Sequence, residues 1–549
     1  MLKQNKGSRA YRIFDFLHRN IVIIIIAVVV IAGAVSTAAI VRGDASSGEK
    51  EENTVEYRPM NTVYFAMDRV RTLNPLASSD SDVYYISQLV YSSLFRLDET
   101  LNIQKDVVKD YEADSQDGSV KLNLRRDVKF SDGSGLTASD VSYTINKILS
   151  IGSESPYYHY VSKIDSVYQS GTYSLTVNFE DPKDAALDNL VFPIVSAADY
   201  STDNEKCLGS GPYRLGSYEK TKSLKLSPNK YYYGQQAKNR IRFKIVADKN
   251  TTTGLMTMEA VTACVSRDQD ADSVADDKDL KVTKIPSSEM EYLGFNCRNR
   301  ILSDKRVRKA VAGIIDTEEL IKDNYGGSGV LSDSIYFPGF LGTKNKGDIF
   351  GYDQKSALEL LREAGYKDSN EDGVLENEKG KNLSLRILVD GSRRNRTDTA
   401  RSIAESLRSA GLRVKLEVKD RAAFKEALAE RDFDLYLGGY KFDKQYDLSS
   451  LFRKGGRTGY DNPEVRSLAG QLETCLSAEE QKTVYEKLKS VLADELPYYC
   501  LCYKTYAFVT VPEFTAEQPP VFFDIFRGCG NWQWSRTVTK EEQSDEADQ

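Results

Sequence analysis

Two histidines, His18 and His159, are all that 549 residues provide. A Ser-His-Asp relay or a zinc site beyond the first twenty residues would have to use His159, in the run SPYYHYVS, which carries no supporting motif. Carboxylates are more plentiful. Asp443 and Asp447, in GGYKFDKQYD, are the pair that could work as the two acids of a glycoside hydrolase, but no further motif supports that chemistry. In DSNEDGVLENEKG, Asp368, Asn370, Asp372 and Gly373 keep step with a calcium loop. The twelfth position, which needs a bidentate Glu, is Lys379, with Glu378 one residue early, so the stretch reads as a structural acidic turn. GSGPYRLG lacks the third glycine of a dinucleotide fingerprint. The seven cysteines (207, 264, 297, 475, 500, 502 and 529) are widely spaced and odd in number, with neither a disulfide framework nor a zinc pattern. They read mostly as small buried apolar groups. No catalytic residue, metal or cofactor is therefore expected.

Charge and length narrow the classes further. A net charge of −7, with no internal basic stripe, excludes a nucleic-acid partner. Residues 21–41, IVIIIIAVVVIAGAVSTAAIV, carry no charge and are long enough to cross a bilayer. Lys3, Lys6, Arg9, Arg12 and Arg19 precede them, which places residues 1–20 in the cytoplasm and the bulk of the chain outside. Cleavage near Ala32-Gly33-Ala34 is the alternative, but the apolar run continues past it, so an uncleaved anchor is expected. Residues 42–56 read as a polar stalk and 537–549 as an acidic tail. The 33 tyrosines suit clefts as well as cores.

The folded body must be built from strands and helices in alternation. Val120, Leu122 and Leu124, then Val128 and Phe130, alternate with polar residues and predict half-buried strand. Asp132-Gly133 predicts a turn, and Thr137 with Asp140 a capping box with Asp in place of Glu. Val141, Ile145, Ile148 and Leu149 then form one helical face. Val307, Ala310, Val311 and Ile314 form another. Asp353 is the expected N-cap of a helix that stops at Gly365, and a helix from Thr399, carrying Ile403 and Leu407, stops at Gly411. A strand with Leu412, Val414, Leu416 and Val418 follows, then a helix capped by Asp420 and the strand FDLYLGG. Residues 350–440 thus have the pattern of an α/β domain.

In order along the chain, TLNPLASSDSDVYYISQLVYSSLFRLDET, LRRDVKFSDGSGLTASDV, GSGPYRL, LGFNCRNRILSDKRVRKAVAGIIDTEELI and YDQKSALELLREAGY resemble the extracellular solute-binding protein family 5, receptors of peptide and nickel ABC importers. The resemblance covers roughly residues 60 to 535. It implies an α/β, two-lobed periplasmic-binding-protein-like fold (type II, cluster C-like) with an extra subdomain, here preceded by one transmembrane helix. Lobe I would combine 57–97, 206–292 and 497–536, the accessory subdomain would be 98–205, and lobe III 293–496. A solute would lie between lobes that close by hinge motion.

The same resemblance implies the site. Peptide-binding relatives hold the ligand's α-amino group on an Asp that follows a Gly-Trp pair. Here GGYKFDKQYD places Tyr440 at the Trp position, as an aromatic wall, and Asp443 at the carboxylate. Relatives that take short peptides bind the terminal carboxylate with an Arg just before the helix near Thr399. In DGSRRNRTDTA that position is Arg394, flanked by Arg393 and Arg396. The expected partners are a peptide or peptide-like solute, the permease subunits of an ABC importer, and the membrane through the N-terminal helix. Three features depart from the family: no cysteine follows the apolar segment for lipid attachment, the MTMEAVTACVS segment lacks its Gly and Asp, and Trp is replaced by Tyr440. An anchored sensor that serves no transporter, or a receptor for an oligosaccharide, is the alternative function.

Overall fold

Val120, Leu122 and Leu124 are buried on one face of the strand Ser119–Leu124, as their alternation requires. The computed structural model describes residues 56–114, 116–200, 208–247, 261–266, 279–442, 448–475 and 477–538. The apolar run 21–41 and nearly all of the stalk and the acidic tail lie outside them; residue 56 belongs to the strand Glu56–Met60 and residues 537–538 to the strand Trp534–Val538. The folded body is Arg58–Arg536.

Among the described residues, the first lobe is organised on a four-stranded sheet in the order Thr62–Asp68, Arg240–Val246, Ser223–Pro228, Tyr213–Glu219. The first two strands run parallel, Val63 opposite Ile241, although 178 residues of sequence separate that pair. Val63, Phe65 and Met67 face inward, where Phe65 meets Phe243, Phe526 and Trp532. Gly209 and Gly211 explain the GSGPYRL motif. A Cβ on them would lie 2.0 Å from the Val90 carbonyl oxygen and 2.6 Å from that of Leu89. Only glycine lets this segment pass against the end of the helix Ser81–Val90.

The extra subdomain carries a second four-stranded sheet, Val108–Asp114, Ser119–Leu124, Ser174–Phe179, Ile164–Gly171, under the helix Ala138–Ile151. The Thr137 backbone N–H donates to Asp140 at 2.9 Å, so the shorter carboxylate does close the capping box. Val128 and Phe130 are buried but not in a strand; the ladder ends at Leu124, and Lys129 makes only an isolated bridge with Gly135. Burial without ladder pairing imitates the period-2 signal here.

The largest sheet has the order Ala263–Ser266, Tyr498–Thr510, Lys281–Phe295, Leu435–Lys441, Ser384–Asp390, Arg413–Lys419, with Gly329–Val330 added to Tyr498–Thr510. Its two long strands are antiparallel and join the lobes. At one end Val282 faces Val509 beside Ala263–Ser266, and at the other Leu293 faces Tyr499 beside Leu435–Lys441. Their register slips between Pro286 and Met290, where proline has no N–H to give the ladder. The second lobe then alternates strand and helix as expected. Asp353 accepts from the Ser356 N–H at 3.0 Å, and Asp420 from those of Ala422 and Ala423 at 2.9 and 3.0 Å. Gly365 and Gly411 end their helices in the left-handed region.

Two positions in this lobe differ from expectation. The helix bearing Ile403 and Leu407 begins at Arg394, not Thr399. Its N-cap is Arg393, which gives no side-chain cap, so the usual Ser/Thr/Asp/Asn signal is missing. Val418 is 50% exposed because Arg413–Lys419 is an edge strand, paired on one side only.

Candidate ligand-binding site

The strands Ser384–Asp390 and Leu435–Lys441 run parallel, so their C-terminal ends meet at one edge of the large sheet. That edge carries the start of the helix Arg394–Ser409 and the segment Tyr440–Phe442, as open α/β sheets place their ligand sites. Asp443 lies outside the described residues. Tyr440 is half-buried, its ring 4.8 Å from that of Phe442 and its hydroxyl 3.4 Å from the Ser450 hydroxyl. Phe442 stacks with Tyr503 at 6.0 Å, Tyr503 meets Phe337 at 5.8 Å, and Phe337 meets Phe522 at 5.5 Å. An aromatic path thus leads from Tyr440 to the C-terminal segment of the first lobe.

The three arginines separate sharply. Arg394 has a side chain 94% exposed, 3.7 Å from Asp398, the weak screened geometry of a surface i,i+4 pair. Arg396 turns inward. Its Nε and Nη2 donate to the two carboxylate oxygens of Glu291 at 2.6 and 2.9 Å, and Lys504 Nζ stands 3.1 Å from the same carboxylate. Burial opposes the Arg396 charge, yet the hydrogen bonds and charge of Glu291 raise the guanidinium above its ordinary value. Gly439 makes this pair possible, because a Cβ there would lie 1.6 Å from Arg396 Nη2. Gly439 is therefore the floor beneath this ion pair, while Gly438 leaves room for the rings of Tyr292 and Tyr436.

Phe522 also lines a cavity of about 560 Å³ in the first lobe and subdomain. Tyr84, Tyr157, Tyr160 and Asp524 line it too. Tyr85 Oη and Gln88 Nε2 donate to the carbonyls of Phe522 and Phe523 at 2.7 and 2.8 Å, which fixes this segment against the helix Ser81–Val90. Burial pushes the Asp524 carboxyl up to about 6, opposed by the Phe526 N–H and by Arg527 and Arg96. Burial raises Asp106 likewise, although it accepts from Tyr233 Oη and from the Ser93 N–H. Leu97 and Leu101 are shared with a second cavity of about 280 Å³, which His159 and Asp188 of the subdomain line together with Tyr336, Phe340 and Leu472 of the second lobe. The sequence offers no signal for this wall beyond its tyrosines; topology assembles it from segments more than 400 residues apart.

The acidic turn uses its side chains on itself: Asp368 accepts from the Asp372 and Gly373 N–H groups, Asn370 from Asp372, and Asp372 from Val374. Cys207 lies outside the described residues; of the other cysteines, Cys297 is half-buried and the rest are buried.

A profile for the bacterial extracellular solute-binding proteins, family 5 Middle, matches residues 102–461. The chain belongs to this family. The oligopeptide-binding protein AppA of Bacillus subtilis is 26% identical over 454 residues, which are 78% of this chain and 83% of AppA. In structure the chain is similar to the MppA periplasmic murein tripeptide binding protein in its unliganded open form (TM-score 0.73, 16% identity, covering 88% of this chain and 99% of that one). It is also similar to a nickel ABC transporter protein of Bacillus halodurans (TM-score 0.71, 18% identity, 85% and 98% covered). The likeness to the two structures shows a shared fold. Family 5 members are non-catalytic solute-binding proteins of ABC importers, so this chain is no enzyme but a two-lobed, extracytoplasmic bacterial solute receptor.

Proposed function

We propose that the protein is a membrane-tethered receptor that captures a peptide between its lobes and delivers it to the permease of an ABC importer. The observation that carries this reading is the aromatic, partly charged cavity of about 560 Å³ joined by ring contacts to the sheet edge at Tyr440. A peptide backbone with its side chains needs flat apolar surface and a few charged partners, and an enclosed terminus left unpaired would cost several kcal/mol. The named function of the AppA relative points the same way. In this reading Asp443 accepts the ligand's ammonium, Tyr440 forms a wall, and Arg394 offers a screened carboxylate partner at the rim. Lobe I is 57–97, 206–292 and 497–536, the subdomain 98–205 and lobe III 293–496, and residues 21–41 hold the protein in the membrane.

The test is native mass spectrometry of the full chain before and after mild unfolding. Release of peptides, lost in Asp443→Ala, supports the reading. A protein that releases a sugar or a metal chelate, or nothing, removes the peptide and leaves the two-lobed receptor. Co-purification with permease subunits separates transport from sensing.

A further inference from the structure

We propose that Arg96 seats a carboxylate of the enclosed solute on the first-lobe wall of the cavity. The inference rests on the reading that this cavity holds the solute, and it assigns the anionic end of the ligand to a residue the sequence did not single out. Arg96 sits in the short strand Phe95–Leu97, opposite Gln104 of Ile103–Lys105. Phe95 is fully buried, so alternation turns Arg96 out of the core and toward the cavity it lines.

The other cations of that lining are already engaged. Arg125 places its fork on Asp127 at 3.1 and 2.8 Å, Arg527 donates to Glu99 at 2.8 Å, and Lys105 Nζ donates to the Lys109 carbonyl at 2.9 Å. Arg96 makes no hydrogen bond or ion pair with any described residue. It is nevertheless near enough for its charge to pull down the carboxyls of Asp106 and Asp524. Asp106 is occupied by Tyr233 and Ser93, so it does not claim the guanidinium. An uncommitted fork of donors, set among Tyr157, Tyr160 and Phe522, suits the two oxygens of a carboxylate. Arg396 cannot serve, being held by Glu291, and Arg394, 94% exposed at the rim, offers only a screened contact.

The experiment uses a pool of short synthetic peptides free of Asp and Glu, prepared once with free C-termini and once amidated. Both pools compete for the full chain, and native mass spectrometry reads what is bound. The wild type should prefer the free acids by about tenfold or more, the worth of one charge-assisted hydrogen bond. Arg96→Gln should lose the preference while binding amides as the wild type does, which also shows that it folds. Arg96→Lys should keep part of the preference. Equal binding of both pools by the wild type, or a preference that survives in Arg96→Gln, overturns the assignment and leaves the peptide reading standing. If neither pool binds, the peptide reading fails and the assignment falls with it.

Discussion

Replacing Gly439 by Ala tests the buried ion pair beneath the sheet edge. The new methyl carbon would stand 1.6 Å from Arg396 Nη2 and 3.2 Å from a Glu291 carboxylate oxygen, so the guanidinium must leave. Glu291 is 2% exposed at its side chain and would keep Lys504 at 3.1 Å as its partner. The cost therefore falls between losing a charge-assisted hydrogen bond, about 1.5–3 kcal/mol, and orphaning a buried charge, about 3–5 kcal/mol. About 2–4 kcal/mol is expected, which lowers Tm by about 4–8 °C at roughly 2 °C per kcal/mol for a large cooperative unit. The diagnostic is the cycle with Arg396→Ala. Once the guanidinium is gone, the methyl group has room, and Gly439→Ala should cost under about 1 kcal/mol or even stabilise the strand. Differential scanning calorimetry of the wild type, both single variants and the double variant measures this coupling. A Gly439→Ala loss of the same size in both backgrounds would refute the reasoning, because the methyl group would then be colliding with something other than Arg396.

Two pH-dependent outcomes follow from carboxylates shifted in opposite directions. Hydrogen bonds from Lys305 and Lys309 hold Asp494 at about 2, below the unfolded value of ~3.9; its contribution is present above about pH 4 and fades as pH falls through about 2, so the Tm gap between wild type and Asp494→Asn should close over that window. Because the Asp494 side chain is 54% exposed, the gap should stay below about 1 kcal/mol and shrink with added salt; a gap that persists at the acid end counts against the pairing. Asp524 is raised to about 6 by burial, so its ionisation works against the fold above that pH and is relieved below it. Asp524→Asn should raise the Tm of ligand-free protein near pH 7.5 and leave it unchanged near pH 4; equal effects at both would show that the carboxyl is not desolvated.

Much of the second lobe was readable because its signals are local. A carboxylate before a helix, a glycine after it and an apolar stripe between them act over a few residues, and Asp353, Asp420, Gly365 and Gly411 do what their positions promise. Where a local signal was absent or imitated, the reading slipped. The helix at Arg394 starts without a capping side chain, and Val128 and Phe130 alternate without joining a ladder. The start of that helix matters for the site, since it moves Arg394 into the first turn and leaves Arg396 to turn inward on Glu291.

By itself the amino-acid sequence determined the alternation of strand and helix, the absence of a metal or nucleophile motif, and the order of segments that marks the family. It also supplied GG before Tyr440 and GSG before Pro212, without saying what approaches those glycines. Only the tertiary structure decided that. The Val90 carbonyl fills the space at Gly209, and the Arg396 guanidinium fills it at Gly439. It also decided that Tyr84, Arg96, Tyr157 and Asp524 face one cavity. The reason is physical: capping and periodicity act within a turn or two of chain, whereas a cleft wall is set by which strands pair. Here Val63 pairs with Ile241, and Glu291 lies between Gly439 and Cys502, across separations no local pattern records.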